Sequence, residues 1–229
     1  MMIKMNKNMK QFSFGLDIST TNIGMALFDD NGNLVELNHM QLKVDKNIPP
    51  EDRDISKADL FKDYLVNFKN RVKEEYDAKI ENVFVEAPLP NTGVNIFTTA
   101  LLLGFNGMAR YVLFEVFGIP PLKISVHNSR KLFLPEFVRQ VKRKGEMVNV
   151  LSFPKGWKSK EKKEYIRKKV SILEPDVSWN YTRNGTIKDT SYDMSDAFCV
   201  SLSSLIVLGI INNDEFLKKN NECLKDLQP

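Results

Sequence analysis

Four acidic residues stand where they could work together. Asp17 closes an apolar segment in GLDIST, with small polar residues directly after it, and Glu86 closes a second in NVFVEAP. Asp193 and Asp196 lie three apart in YDMSDA, so on a helix they share one face. Two acids at strand ends and a pair at a helix start can converge on the C-terminal edge of a sheet. Such a cluster repels itself unless a divalent cation neutralises it, and Mg²⁺ prefers oxygen ligands. Two such ions about 4 Å apart activate a water and stabilise the leaving oxygen in phosphodiester cleavage. Taken singly, each acid has a plainer reading. An Asp at a strand end is commonly a turn former, and Asp193 and Asp196 suit a helix start as caps and dipole partners. Their occurrence together, in this order and on these elements, is what points to a metal-dependent hydrolytic site.

Other chemistries are poorly provided for. Cys199 and Cys223 are the only cysteines, and His39 and His127 the only histidines. That excludes a disulfide scaffold and a cysteine- or histidine-rich metal cluster, so any metal is held by oxygen. His127 reads as structural or substrate-contacting, and Cys199 as a small buried residue. The second signal is electrostatic. Arg139–Lys169 holds 12 Lys and Arg against 3 Asp and Glu, a net +9 that leaves −5 for the rest of a chain of overall charge +4. A mildly acidic body with one basic segment suggests a polyanionic partner met along one face, the plainer alternative being a solvated lysine-rich helix. Within it, KGWKSKEKKEYIRKK (155–169) puts Lys158, Lys162 and Lys169 near one helical side, with Trp157 and Tyr165 interleaved. Lysines neutralise phosphates and rings can stack on exposed bases. For the two aromatics, packing against the body is the favoured reading.

The elements that must position these groups follow from periodicity. Residues 11–42 read as a three-strand meander: Gln11–Asp17, Ile23–Phe28 and Leu34–Leu42, with a turn at Asp29–Gly32. A loop at 45–54 precedes a helical stripe over Ile55–Tyr76, with Ser56 as expected N-cap. A strand at Asn82–Glu86, a long apolar helix over Asn95–Phe117 and a strand at Leu122–Val126 come next. The order β-β-β-α-β-α-β is a mixed α/β plan. The basic region, about 130–173, is read as a loop near Ser152–Gly156 and a helix from Ser159 to Leu173. A last helix follows at Tyr192–Ile211. Residues 1–211 thus form one domain with a basic inserted segment at about 132–159, and 212–229 a polar tail, frayed or a short surface helix. The charge-free stretch Ala197–Ile211 is 15 residues, too short to span a bilayer. The basic N-terminus runs into FSFGLD without a long apolar core, so a cytoplasmic protein, neither secreted nor membrane-bound, is expected.

GLDIST followed three residues later by GMALFD, then NVFVEAP, LLLGFNGMA in the long helix, and YDMSDAFCVSL resemble the RuvC-type Holliday junction resolvases of the RNase H-like superfamily, in order from about residue 12 to 211. The resemblance implies an α/β, RNase H-like fold: a mixed five-stranded sheet, antiparallel meander plus parallel strands, flanked by helices. It implies that Asp17, Glu86, Asp193 and Asp196 hold Mg²⁺ or Mn²⁺, two ions per site. Asp17 would bridge both ions, Glu86 and Asp196 complete the two shells, and Asp193 hold the ion near the attacking water. It further implies a homodimer formed through the long helix and paired nicks in four-way DNA junctions. Arg130, Lys131, Lys158, Lys160, Lys162, Lys163 and Lys169 are the expected DNA contacts, with Lys131 or Lys160 assisting the scissile phosphate. Two departures stand out. Leu89 occupies the place where many bacterial members carry an aromatic wedge, and the segment between Leu132 and Ser159 is longer and more basic. The first leaves the opening of the crossover to other residues, and the second suggests a divergent branch of the bacteriophage sort, with branched substrates beyond four-way junctions.

Competing readings remain. GLDISTTNIG also resembles the first phosphate loop of actin-like sugar kinases and chaperone ATPases, which need two such domains and a second glycine-rich loop; neither is found. A non-catalytic DNA-binding or scaffolding member would have no reason to retain four mutually repelling acids. A nuclease for flaps or RNA–DNA hybrids would use the same acids and is not separable from a resolvase by sequence.

Overall fold

The structure, a computed structural model, describes residues 9–88 and 96–227. Strand β1 (Lys10–Ile18) sets Phe12, Phe14, Leu16 and Ile18 on one side and the small or polar Ser13, Gly15 and Asp17 on the other, and lies at the centre of a five-stranded sheet. It pairs antiparallel with β2 (Asn22–Phe28), which pairs antiparallel with β3 (Leu34–Gln41). The β2–β3 turn is held by Asp29, whose carboxylate accepts from the backbone N–H of Asn31 at 3.0 Å and of Asn33 at 2.7 Å. Gly32 supplies the positive φ of +80° that this turn needs. On its other side β1 pairs parallel with β4 (Ala78–Ala87), which pairs parallel with β5 (Leu122–Ser125). The order β3-β2-β1-β4-β5, with helices on both faces, is the expected α/β arrangement of a mixed five-stranded sheet flanked by helices.

Alternation along the strands gives the sheet two cores. Phe12, Phe14, Leu16, Val83 and Val85 pack on α1 (Arg53–Tyr76) and α2 (Ile96–Phe117), with the rings of Phe14 and Phe68 stacked at 4.6 Å. Ala26, Phe28 and Phe84 face the opposite way, under α5 (Asp189–Val207) and its neighbours α3 (Val126–Phe133), α4 (Ser159–Leu173) and α6 (Asn213–Asp226). Helix α5 lies unusually close because Gly15 and Gly24 have no side chains. A Cβ on Gly15 would stand 1.8 Å from Ser201 Oγ, and one on Gly24 would stand 2.0 Å from the Asp193 carbonyl oxygen. These two glycines set the depth at which Asp193 and Asp196 approach the sheet.

Several elements differ from expectation. β4 begins at Ala78, α1 at Arg53, and α5 spans Asp189–Val207. Ser56 lies inside α1, its hydroxyl donating to the Asp52 carbonyl at 3.1 Å, and caps nothing. The basic region begins in the last turn of α3 and contains a hairpin of β6 (Val138–Arg143) and β7 (Glu146–Leu151). Beyond 212 the chain forms a packed helix, capped by the Asn212 side chain and burying Phe216 and Cys223. Helix α2 is long and apolar enough, by length and composition, to cross a membrane. It buries Phe105, Ala109, Val112 and Leu113 yet leaves Leu101, Leu103, Tyr111 and Phe114 exposed. Leu89, the wedge position, lies outside the described residues, as does the basic N-terminus through Asn8.

Candidate active site

Pairing of Leu16 with Val85 sets Asp17 beside Glu86, each the penultimate residue of its parallel strand. Both lie on the α5 side of the sheet, the side on which Gly15 meets Ser201. From above, α5 brings Asp196, only 5% exposed, and Asp193, half-buried one turn earlier. Two cations from other elements close the group. Arg130 of α3 places Nη2 2.8 Å from Asp196 Oδ1, and Lys163 of α4 places Nζ 4.0 Å from Asp196 Oδ2. Five elements thus converge at one sheet edge.

The charge balance at that edge is strained. Burial drives the Asp17 carboxyl well above the usual range, and the negative charges of Glu86, Asp196 and Asp193 add to it. Burial and Asp196 push Glu86 upward, while Arg130 and Lys163 oppose them. Asp17 and Glu86 hydrogen-bond one another, which favours one proton shared by the pair. Asp193 is raised to about 6, chiefly by burial, with Lys163 pulling it down and Asp196 and Asp189 pushing it up. The Arg130 guanidinium loses hydration but is held charged by Asp196 and Glu86.

Among the described residues, no three acidic, histidine or cysteine side chains stand ready-arranged around one ion. The donor chemistry nonetheless fits a hard divalent cation, because every donor is a carboxylate oxygen and the four acids repel one another at a buried edge where positive charge is lacking. The remaining expected contacts divide. Lys158 and Lys160 are exposed and Lys131 half-buried near His127, while Lys162 lies over the Phe153 ring at 5.5 Å. Lys169 must be corrected: it is fully buried and does not face DNA. It falls on the inward stripe Ile166, Lys169, Val170, Leu173 of α4, where Nζ donates to the Phe133 carbonyl at 2.7 Å and to both Glu136 carboxylate oxygens at 2.9 and 3.0 Å. Burial lowers its pKa, and Glu136 acts against that. Sequence reasoning also missed Tyr192, whose hydroxyl donates to Glu164 at 3.2 Å and ties the start of α5 to α4. The only signal was its place next to Asp193.

The sequence matches no family model and no curated protein. Among solved structures it is similar to RuvC of Thermus thermophilus, at 12% identity and a TM-score of 0.47, over 87% of this chain and 97% of that one. It is similar to the same protein in complex with a Holliday junction substrate, at 11% identity and a TM-score of 0.47, over 87% and 96% of the two chains. A ROK hexokinase from Thermus thermophilus matches at 20% identity and a TM-score of 0.32, over 54% of this chain and 36% of that one.

Proposed function

We propose that this chain is a metal-dependent endodeoxyribonuclease that cuts branched DNA, with four-way junctions as its chief substrate. The carrying observation is the adjacency of Asp17 and Glu86 on parallel strands, with Asp196 and Asp193 set over them by α5. These four acids would hold Mg²⁺ or Mn²⁺, two ions to a site. Bound there, the cations supply a polarised water and neutralise charge gathering on the phosphate. The chain's own residues do the rest. Asp17 and Glu86 together must give up the proton that they share. Arg130 fixes the rotamer of Asp196 through its 2.8 Å contact. Lys163, beside Asp193 and Asp196, is placed to meet a phosphate oxygen, and Lys131, Lys158, Lys160 and Lys162 continue the basic surface along the backbone.

Paired cuts need two sites, and the exposed apolar side chains of α2 supply a face on which a two-fold homodimer would form. The test is cleavage of end-labelled four-way junction, flap and linear duplex DNA, with Mg²⁺ and with EDTA. Paired symmetric nicks in the junction alone support a resolvase, whereas equal cutting of flaps shifts the reading to general debranching. Asp17→Asn should abolish cleavage while preserving or tightening binding. Undiminished cleavage would refute the site.

A further inference from the structure

Helix α4 has two working sides. Lys163 points to Asp193 and Asp196, whereas Tyr165 turns into a neighbouring groove of about 1120 Å³. The floor of this groove is aromatic. The Trp157 ring lies 5.4 Å from Tyr165 and 5.7 Å from Phe137, and Tyr192 lines the same space. Lys158, Lys160 and Lys168 line it too, all exposed and without an ion pair among the described residues. The two acids that line it are already engaged. Glu164 accepts from Arg167 at 2.7 Å and from the Tyr192 hydroxyl, and Glu161 accepts from the backbone N–H of Lys158. Tyr192 both borders the groove and precedes Asp193, so groove and acids are contiguous.

We infer that the groove takes unpaired nucleotides of the DNA that runs past the acids, with bases over Trp157 and Tyr165 and phosphates against Lys158, Lys160 and Lys168. The inference rests on the nuclease reading for the presence of DNA at this edge. Rings and phosphates together are what the lining asks for. Aromatic floors are covered by base faces, which in a duplex are already stacked on one another, and exposed lysines select a polyanion. Trp157 and Tyr165 pack on Phe137 and on one another, and one side of that cluster is left open to the groove. The site therefore favours DNA with splayed or single-stranded nucleotides beside the cut, and discriminates against continuous duplex.

The test needs neither metal nor cleavage. In the Trp179→Phe protein, Trp157 is the sole tryptophan. Titration with a short oligothymidylate in EDTA should quench its emission. The same oligomer with abasic residues keeps every phosphate, and it should bind about tenfold more weakly per base removed, without quenching. Lys160→Glu with Lys168→Glu, both at exposed positions, should weaken binding and flatten its salt dependence at an unchanged melting temperature. Equal affinity for the two oligomers, or unquenched Trp157, would overturn the proposal. Quenching by an acidic peptide but not by oligothymidylate would give the groove to a protein partner and overturn it too. A chain that binds thymidine in this way yet cuts no DNA would keep the groove and lose the nuclease reading.

Discussion

Replacing Asp193 with Asn should stabilise the metal-free protein at neutral pH, although it deletes a charge from the first turns of a helix. The Asp193 carboxyl moves from its ordinary 3.8 up to about 6 on folding. The native state therefore binds that proton more tightly than the unfolded chain does. Below about pH 3.8 both states are protonated and nothing is lost. Stability then falls as pH rises through the interval, and above about pH 6 the full penalty is present. Each pH unit between the two values is worth about 1.4 kcal/mol, which sets a ceiling of about 3 kcal/mol. Partial exposure of the residue reduces this, so a gain of about 1–3 kcal/mol is expected from the neutral amide. Urea denaturation in EDTA, above pH 7 and again near pH 4, reads it directly. The gain should be present at the higher pH and vanish at the lower. Added Mg²⁺ should narrow the gap, because the cation stabilises the ionised wild type more than the variant. A variant no more stable than wild type above pH 7, or a gap that persists near pH 4, would refute the charge-strain argument.

Other outcomes follow from the same geometry. Arg130→Met leaves Asp196 buried without its closest counter-charge and should cost about 3 kcal/mol in EDTA urea melts, with part recovered on adding Mg²⁺. Lys169→Met should cost a similar amount by abandoning Glu136, yet leave the salt slope of DNA binding where it was. Gly24→Ala must push α5 away from the sheet, so about 2–3 kcal/mol of stability and most cleavage should go together in melting and nicking assays. If α2 forms the proposed homodimer, Leu101→Glu with Phe114→Glu on its exposed side should give a monomer by light scattering, with a melting temperature that no longer depends on protein concentration.

Much of this arrangement was legible from the residues. Alternation in QFSFGLD and the stripe of α4 placed two elements close to their observed spans, and NVFVE marked the second half of β4, because each buries one clear face. Short or barely buried strands were the ones missed. The first half of β4 buries Ala78 and Ile80 and turns Lys79 and Glu81 outward, an alternation too short to stand out, and the β6–β7 hairpin mixes valines with charged and polar residues over a surface that is barely buried. Lys169 shows the reverse error. Lysine type argued for solvent, but its register with Ile166, Val170 and Leu173 argued for the interior, and register won because Glu136 and the Phe133 carbonyl meet the ammonium there. The convergence of the four acids was legible because strand ends and a helix start are local features. Their pairing with Arg130 and Lys163 was not, since it depends on how α3 and α4 dock against α5.

The placement of α5 also bears on how the molecule is made. A chain emerging from the ribosome completes β1 to β4, and with them the Asp17–Glu86 pair, about a hundred residues before α5 exists. Until then Ala26, Phe28 and Phe84 lie bare on one side of the sheet, an adhesive surface that a half-made molecule must shield. The same helix that covers that surface delivers Asp193 and Asp196. Closure of the second core and assembly of the acid cluster are therefore one event, and a truncated or stalled chain carries the cohesive face without the chemistry.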